Sequence, residues 1–268
     1  GKHEPVPTEW EFVSLLTSYN MGNDGDAAFG IANASFFQHL PAISKQQASF
    51  KEPKPIDYDP TATYIAILML DYDGSAWLNQ MITSVYNDPA RGKIPLNWCI
   101  NPVLNERVPH AYKYIYDNKT PNDFLGFSDD GASYIQPMSL SHRNGRIKES
   151  GIPFYEKYAK AMNERYGIKY NVFYIDDTFD MEWAEMAARI TPDGFGFNGP
   201  IEEQLVNGTP VNFVIHFHVS HRQRFRNHLE QLYKASSEKI QSEAKLEALR
   251  TIIMPPSMIY DVVKEVEA

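Results

Sequence analysis

The chain of 268 residues has a single cysteine, Cys99, so neither an intramolecular disulfide nor a cysteine-rich zinc site can hold it together. Long apolar runs are missing as well. The best of them, Tyr64 to Leu70, has the length of one strand, far short of the roughly 20 residues that a membrane-spanning helix needs. Basic charge is scarce: 25 Lys and Arg face 34 Asp and Glu, a formal net charge of -9. The densest basic grouping, Arg222, Arg224 and Arg226, falls on alternate positions that do not share one face of a helix. A phosphate backbone would be repelled, which excludes nucleic acid as an expected partner. The opening Gly1-Lys2-His3-Glu4 leads into polar, proline-rich chain with no apolar leader. A first residue other than Met is expected of a trimmed chain whose export signal has been removed. Aromatic residues, by contrast, are plentiful at 13%, sixteen of them Tyr. Rings of this kind stack on sugars, and in most proteins they also fill the core.

Strand-like and helix-like runs alternate from residue 64 onward. The apolar run Tyr64 to Leu70 reads as a strand covered on both faces. Ser75 to Tyr86 places Trp77, Leu78, Met81, Ile82 and Val85 at helical spacing. The series continues with strand Ile94 to Ile100, helix Val108 to Tyr116, strand Asp123 to Phe127 and helix Ile152 to Tyr166. Then follow strand Asn171 to Ile175, helix Met181 to Ile190, strand Gly194 to Phe197, strand Val211 to Phe217 and helix His221 to Ser236. Strand Thr251 to Met254 and helix Ser257 to Val266 close it. About seven such units predict an α/β fold, a (β/α) barrel of TIM-like or incomplete seven-stranded type, over residues 64–268. Residues 1–63 stay outside the alternation: Glu9 to Thr17 reads as a helix, Met21 to Gly30 is rich in Gly, Asn and Asp, and Pro53 to Pro60 is a proline-punctuated linker. They are expected to form an irregular N-terminal arm packed on the barrel, since about sixty residues without staples make a marginal domain.

Functional groups of a (β/α) barrel come from the carboxyl ends of strands and the loops just after them. Those positions hold Asp71 and Asp73, Asn101, Asp129 and Asp130, Asp176 and Asp177, and His216 and His218. Each element has an ordinary structural use: Asp-Gly builds turns and Asp before Thr caps helices. Convergence of three acidic pairs and two histidines on one rim favours function, because crowded like charges are costly without a cation or shifted pKa values. His216 and His218 share one strand face, with Phe213, Ile215 and Phe217 on the other. Apolar residues face the helices in such barrels, so the histidines are expected to face inward.

From Gly131 the chain reads Gly-Ala-Ser-Tyr-Ile-Gln-Pro, with Gly131, Tyr134 and Pro137 at the matching positions of a seven-residue signature. This heptad resembles that of the GxGYxYP family of glycoside hydrolases, with Ser133 in place of the second Gly and Gln136 in place of the second Tyr. Ile31 to Phe37 and His39-Leu40-Pro41 are also similar to that family, so that the resemblance extends over residues 10–268. It implies an exported, carbohydrate-active barrel domain, periplasmic or extracellular, whose partner is an oligosaccharide or polysaccharide. It brings no cofactor. Tyr134 would offer a ring and a hydroxyl, and Gln136 an amide, to substrate.

Three functions follow. Glycoside hydrolysis needs a carboxylic acid and a second carboxylate; Asp73 and Asp177 are the expected catalytic pair, with Asp71, Asn101, Asp129, Asp130, Tyr134, Gln136, Asp176, His216 and His218 at the substrate. The first alternative is metal-dependent polysaccharide deacetylation, with a divalent ion on Asp71, Asp73, His216 and His218. The second is a non-catalytic glycan-binding domain using Trp77, Trp98, Tyr134 and Trp183, of which Trp77 and Trp183 fall on helix-like segments that favour the core.

Overall fold

The computed structural model describes residues 8–23, 33–37, 39–44, 57–72, 74–129, 132–141, 147–174, 179–199, 201, 205–237 and 245–268. The central strands are β1 (Thr63–Leu70), β2 (Leu96–Cys99), β3 (Asp123–Asp129), β4 (Tyr170–Tyr174) and β5 (Gly194–Phe197), followed by β6 (Leu205–Val206), β7 (Thr209–His218) and β8 (Lys245–Ile252). Seven of them are parallel neighbours in the order β5-β4-β3-β2-β1-β8-β7, and pairing of β5 with β7 brings the two ends of that order together. The result is a seven-stranded α/β barrel, one strand fewer than the eight of a TIM barrel. The short β6 is an antiparallel appendage to β7, with Val206 opposite Thr209.

Helices on the outside bury one stripe each. They are α1 (Glu9–Thr17) and the short α2 (Ala34–Phe37) before the barrel, then α3 (Ser75–Tyr86), α4 (Leu104–Arg107), α5 (Pro109–Asp117), α6 (Met138–Ser141), α7 (Ile152–Tyr166), α8 (Met181–Ile190), α9 (Arg222–Ser237) and α10 (Pro256–Glu267). In α3 the buried set Leu78, Ile82, Val85 and Tyr86 recurs at three- and four-residue steps. Helix α8 starts where the Asp180 carboxylate accepts from the N–H groups of Glu182 and Trp183, two donors that would otherwise lack partners. Helix α7 stops at Gly167, whose φ of 67° is open to a residue without Cβ.

Two cores result. The larger lies between strands and helices and contains Trp98, Trp183, Tyr112, Tyr174, Phe195, Phe197 and Phe217. The smaller joins Leu68, Leu70, Cys99, Val172, Val214 and Ala248, drawn from five strands, and fills the barrel interior. Strand β4 shifts register between Asn171 and Tyr174, and as a result Val172 points inward while Tyr174 packs outside on Trp183. Gly196 makes this possible: a Cβ there would lie 2.0 Å from the Val172 carbonyl oxygen.

Trp98 and Trp183 are fully buried. They belong to the core and offer no face to a sugar, which removes two of the four rings expected of a glycan-binding domain. The last strand also differs from expectation, running over Lys245–Ile252 in place of Thr251 to Met254. Charged residues interrupt its apolar pattern, yet Glu247 is held beside Lys245 and His228 and Arg250 points into the barrel mouth. The hairpin from β6 to β7 was likewise unexpected, although Asn207-Gly208, with φ values of 49° and 83°, is the residue pair that a type I′ turn demands.

Candidate functional site

The carboxyl ends of β1, β8 and β7 stand side by side, and this adjacency assembles the best-defined polar cluster. Register pairs Arg250 with Leu68 on β1 and with His216 on β7. Paired residues of parallel strands point the same way, and Leu68 belongs to the interior core. Arg250 and His216 therefore face into the barrel mouth, while Ile215 and Phe217 face the helices. Asp71 follows the last residue of β1 with a φ of 73°, a left-handed conformation that Asp tolerates better than most side chains. The Arg250 guanidinium donates from Nη2 to Asp71 Oδ1 at 2.9 Å and from Nη1 to His216 Nδ1 at 3.3 Å. Because arginine can only donate, Nδ1 of His216 is the acceptor and its neutral ring carries the proton on Nε2. Burial first, then the charges of Arg250 and Arg224, push the His216 pKa down to about 4. The ring is neutral at neutral pH.

Next to Asp71, Tyr72 is buried against Trp98. Burial, followed by the nearby charges of Asp71 and Cys99, raises its hydroxyl pKa far above the ordinary tyrosine value. Tyr72 is thus a protonated, apolar support under the mouth.

The other expected site residues divide into three groups. Asp73, Asp130, Asp176 and Asp177 lie outside the described residues, as do Gly131 and the side chain of Asp129. Asn101 is fully buried at the end of β2, and its Oδ1 accepts from the Val103 N–H at 3.1 Å, shaping the turn into α4. His218 accepts at Nδ1 from the Ser220 N–H and caps the short turn Val219–His221. Among the described residues, no group of three or more His, Cys, Asp and Glu is disposed to hold a metal ion. Asp71 and His216 have the Arg250 guanidinium between them.

Tyr134 and Gln136 are not brought to this cluster. The backbone of Tyr134 exchanges hydrogen bonds with Asn23 of the arm, 3.0 Å each way, and its hydroxyl donates to Glu9 Oε1 at 2.6 Å. Gln136 donates its N–H to Thr17 Oγ1 at 3.1 Å and accepts at Oε1 from Ser139. The described part of the heptad clasps helix α1 and the turn after it.

Arg250 is the member of this cluster that the sequence pattern missed. The signal was there: Ala248, Arg250 and Ile252 alternate with Leu249 and Thr251. An arginine inside an inward-facing strand row needs a carboxylate to receive it.

Residues 61–244 match the family model described as "GxGYxYP putative glycoside hydrolase C-terminal domain". The chain belongs to this family. A crystal structure titled as a putative hydrolase from Bacteroides thetaiotaomicron VPI-5482 superposes with a TM-score of 0.74 at 14% identity, over 98% of this chain and 52% of that one. The chain thus spans about half the length of that protein, and the likeness extends to the fold. A structure titled as a putative polysaccharide deacetylase from Mycobacterium smegmatis gives a TM-score of 0.43 at 8% identity, over 82% of this chain and 88% of that chain. No curated protein sequence matches. No helix among the described residues is long and apolar enough to cross a membrane.

Proposed function

We propose that this family member is a carbohydrate-active hydrolase that cleaves glycosidic bonds at the mouth of the barrel, outside the cytoplasm. The observation that carries the reading is the Asp71–Arg250–His216 cluster, which puts a carboxylate, a fixed cation and a neutral imidazole where (β/α) barrels do chemistry. Asp73 and Asp177 form the reacting pair: one protonates the glycosidic oxygen while the other attacks the anomeric carbon or activates water. Their separation sets retention or inversion, with about 5 Å for the former and roughly 6.5–9.5 Å for the latter. Arg250 offsets the negative charge that neighbouring carboxylates build up, and His216 keeps its proton on Nε2 for polar contact with substrate. Asp71, Asp129, Asp130, Asp176 and His218 complete the proposed surroundings of the sugar, while Asn101, Tyr134 and Gln136 serve the fold around it.

The experiment is release of reducing ends from a panel of polysaccharides by the purified protein. Asp73→Asn and Asp177→Asn are each expected to lower the rate by about 10³-fold or more, in line with loss of a positioned acid or base and its electrostatic partner. Full hydrolysis by the double alanine variant would overturn the assignment. Acetate release that appears only on adding a divalent ion would replace it by deacetylation at Asp71, Asp73, His216 and His218.

A further inference from the structure

Three residues at three-residue steps, His218, His221 and Arg224, run from the end of β7 across the turn Val219–His221 into α9. Residues three apart are neighbours on one side of a helical turn, and the His218 and His221 rings stand edge to face with centroids 5.9 Å apart. His218 closes β7 on the same strand face as His216, which points into the mouth. The row therefore starts at the mouth and climbs over the rim. Arg224, one turn into it, is near enough for its charge to act on His216.

Every polar group that the row presents is a donor. His218 accepts at Nδ1 from the Ser220 N–H at 3.2 Å, and His221 accepts at Nδ1 from the His218 N–H at 3.4 Å. Both neutral rings therefore carry their proton on Nε2. Neither Nε2 meets a protein acceptor among the described residues. The neighbouring arginines are used by the fold: Arg222 pairs with Glu265, and Arg226 Nε lies 3.2 Å from the same carboxylate. Arg224 falls between them in sequence and on another side of the helix. It lies over the Phe217 ring, 5.3 Å from the centroid, and pairs with no carboxylate among the described residues. His221 and Arg224 are exposed. In a chain of net charge -9, this sector of the rim offers cationic and N–H donors with nothing of opposite sign beside them.

We propose that His218, His221 and Arg224 form an oxyanion subsite at the β7 sector of the mouth, which holds the sulfate or carboxylate group of an acidic sugar unit. Imidazole N–H groups and a guanidinium supply the charge-assisted hydrogen bonds that such a group accepts, and a neutral hydroxyl gains less from them. That a sugar carries the group rests on the hydrolase reading above; that the group is an anion rests on the donor row. The subsite orients the glycan and performs no chemistry.

The test is titration of the whole chain with glucose 6-sulfate, glucuronate and glucose at about 0.15 M salt, where diffuse attraction is screened. Binding is followed through the imidazole NMR signals, assigned with His218→Gln and His221→Gln. The acidic sugars are expected to shift the His218 and His221 signals, and glucose to leave them in place. A shift by only one acidic sugar supports the subsite and names its substituent. Arg224→Met weakens acidic-sugar binding about tenfold, the loss of one charge-assisted pair. Arg222→Met removes the same charge from the adjoining face and changes the affinity by less than about twofold. Unchanged melting temperatures accompany both variants. Inorganic sulfate binds more weakly than glucose 6-sulfate. Asp73→Asn loses hydrolysis of polysaccharide and keeps these shifts, which separates failure of the hydrolase reading from failure of the subsite. Absence of a shift with either acidic sugar, full affinity in Arg224→Met, equal loss in the two Met variants, or inorganic sulfate binding as tightly as glucose 6-sulfate overturns the proposal.

Discussion

Arg250 on β8 donates to Asp71, 179 positions earlier in the chain, at 2.9 Å. The same guanidinium reaches His216 on β7, so that one cation ties together the carboxyl ends of three neighbouring strands. Replacing it by Met keeps an unbranched apolar stem and removes both contacts. Arg250 is nearly buried and Asp71 retains some exposure, 12% and 27%. The cost is therefore expected to be about 1–3 kcal/mol, below that of a fully buried pair. Arg250→Lys recovers only part, since an ammonium cannot place two planar donors on two partners. Urea unfolding midpoints check this; equal stability of Arg250→Met and wild type would refute it.

His216 gives the protein an acid-sensitive term. Its folded pKa of about 4 lies below the ordinary value of 6.5. Between these values the unfolded chain holds a proton that the folded chain rejects. This contribution to stability is complete above about pH 6.5 and is lost as pH falls toward 4. His216→Gln is expected to flatten that part of the profile, with the largest difference from wild type near pH 4.5. Parallel stability curves for the two proteins between pH 7 and pH 4.5 would exclude the assignment.

The heptad tyrosine separates a structural role from a substrate role. Tyr134→Phe removes only the hydroxyl that donates to Glu9 at 2.6 Å, and a bond to a charged acceptor of this kind contributes about 1–2 kcal/mol. Lower melting temperature and faster proteolysis around α1 are expected, with hydrolysis per folded molecule preserved. Intact stability with reduced turnover would instead place the hydroxyl at the substrate.

A buried polar network at the start of β3 holds the opposite end of the barrel. The Asp123 carboxylate accepts from Trp98 Nε1 at 2.8 Å and from the Thr120 N–H at 2.6 Å, and it pairs with Arg91. Asp123→Asn leaves a nearly buried guanidinium without its counter-charge, at a cost of about 3 kcal/mol. The expected observation is an earlier unfolding midpoint, followed by Trp98 fluorescence, with glycan binding unchanged below the transition.

Much of this architecture is legible along the chain. Helices Glu9–Thr17, Ser75–Tyr86, Ile152–Tyr166 and Met181–Ile190 begin and end where their periodicity says, because each buries one stripe and its spacing is local. The inward direction of His216 is legible too, from the apolar residues on its other side. Strand β8 is less legible, because Glu247 and Arg250 resemble solvated loop residues until their partners His228, Asp71 and His216 are known. Tyr134 looked like an open ring at the rim; only the packed arm shows that Glu9 receives its hydroxyl.

The alternation of strands and helices, apart from the β6–β7 hairpin and the bounds of β8, follows from sequence alone, since periods of 2 and 3.6 residues are properties of short stretches. Which strand ends become neighbours does not. Closing seven strands sets β8 between β1 and β7, and that long-range choice alone brings Arg250 between Asp71 and His216. Local alternation can say that Arg250 faces inward, but its pairing with Asp71 across 179 positions is set by barrel closure, which no short stretch encodes.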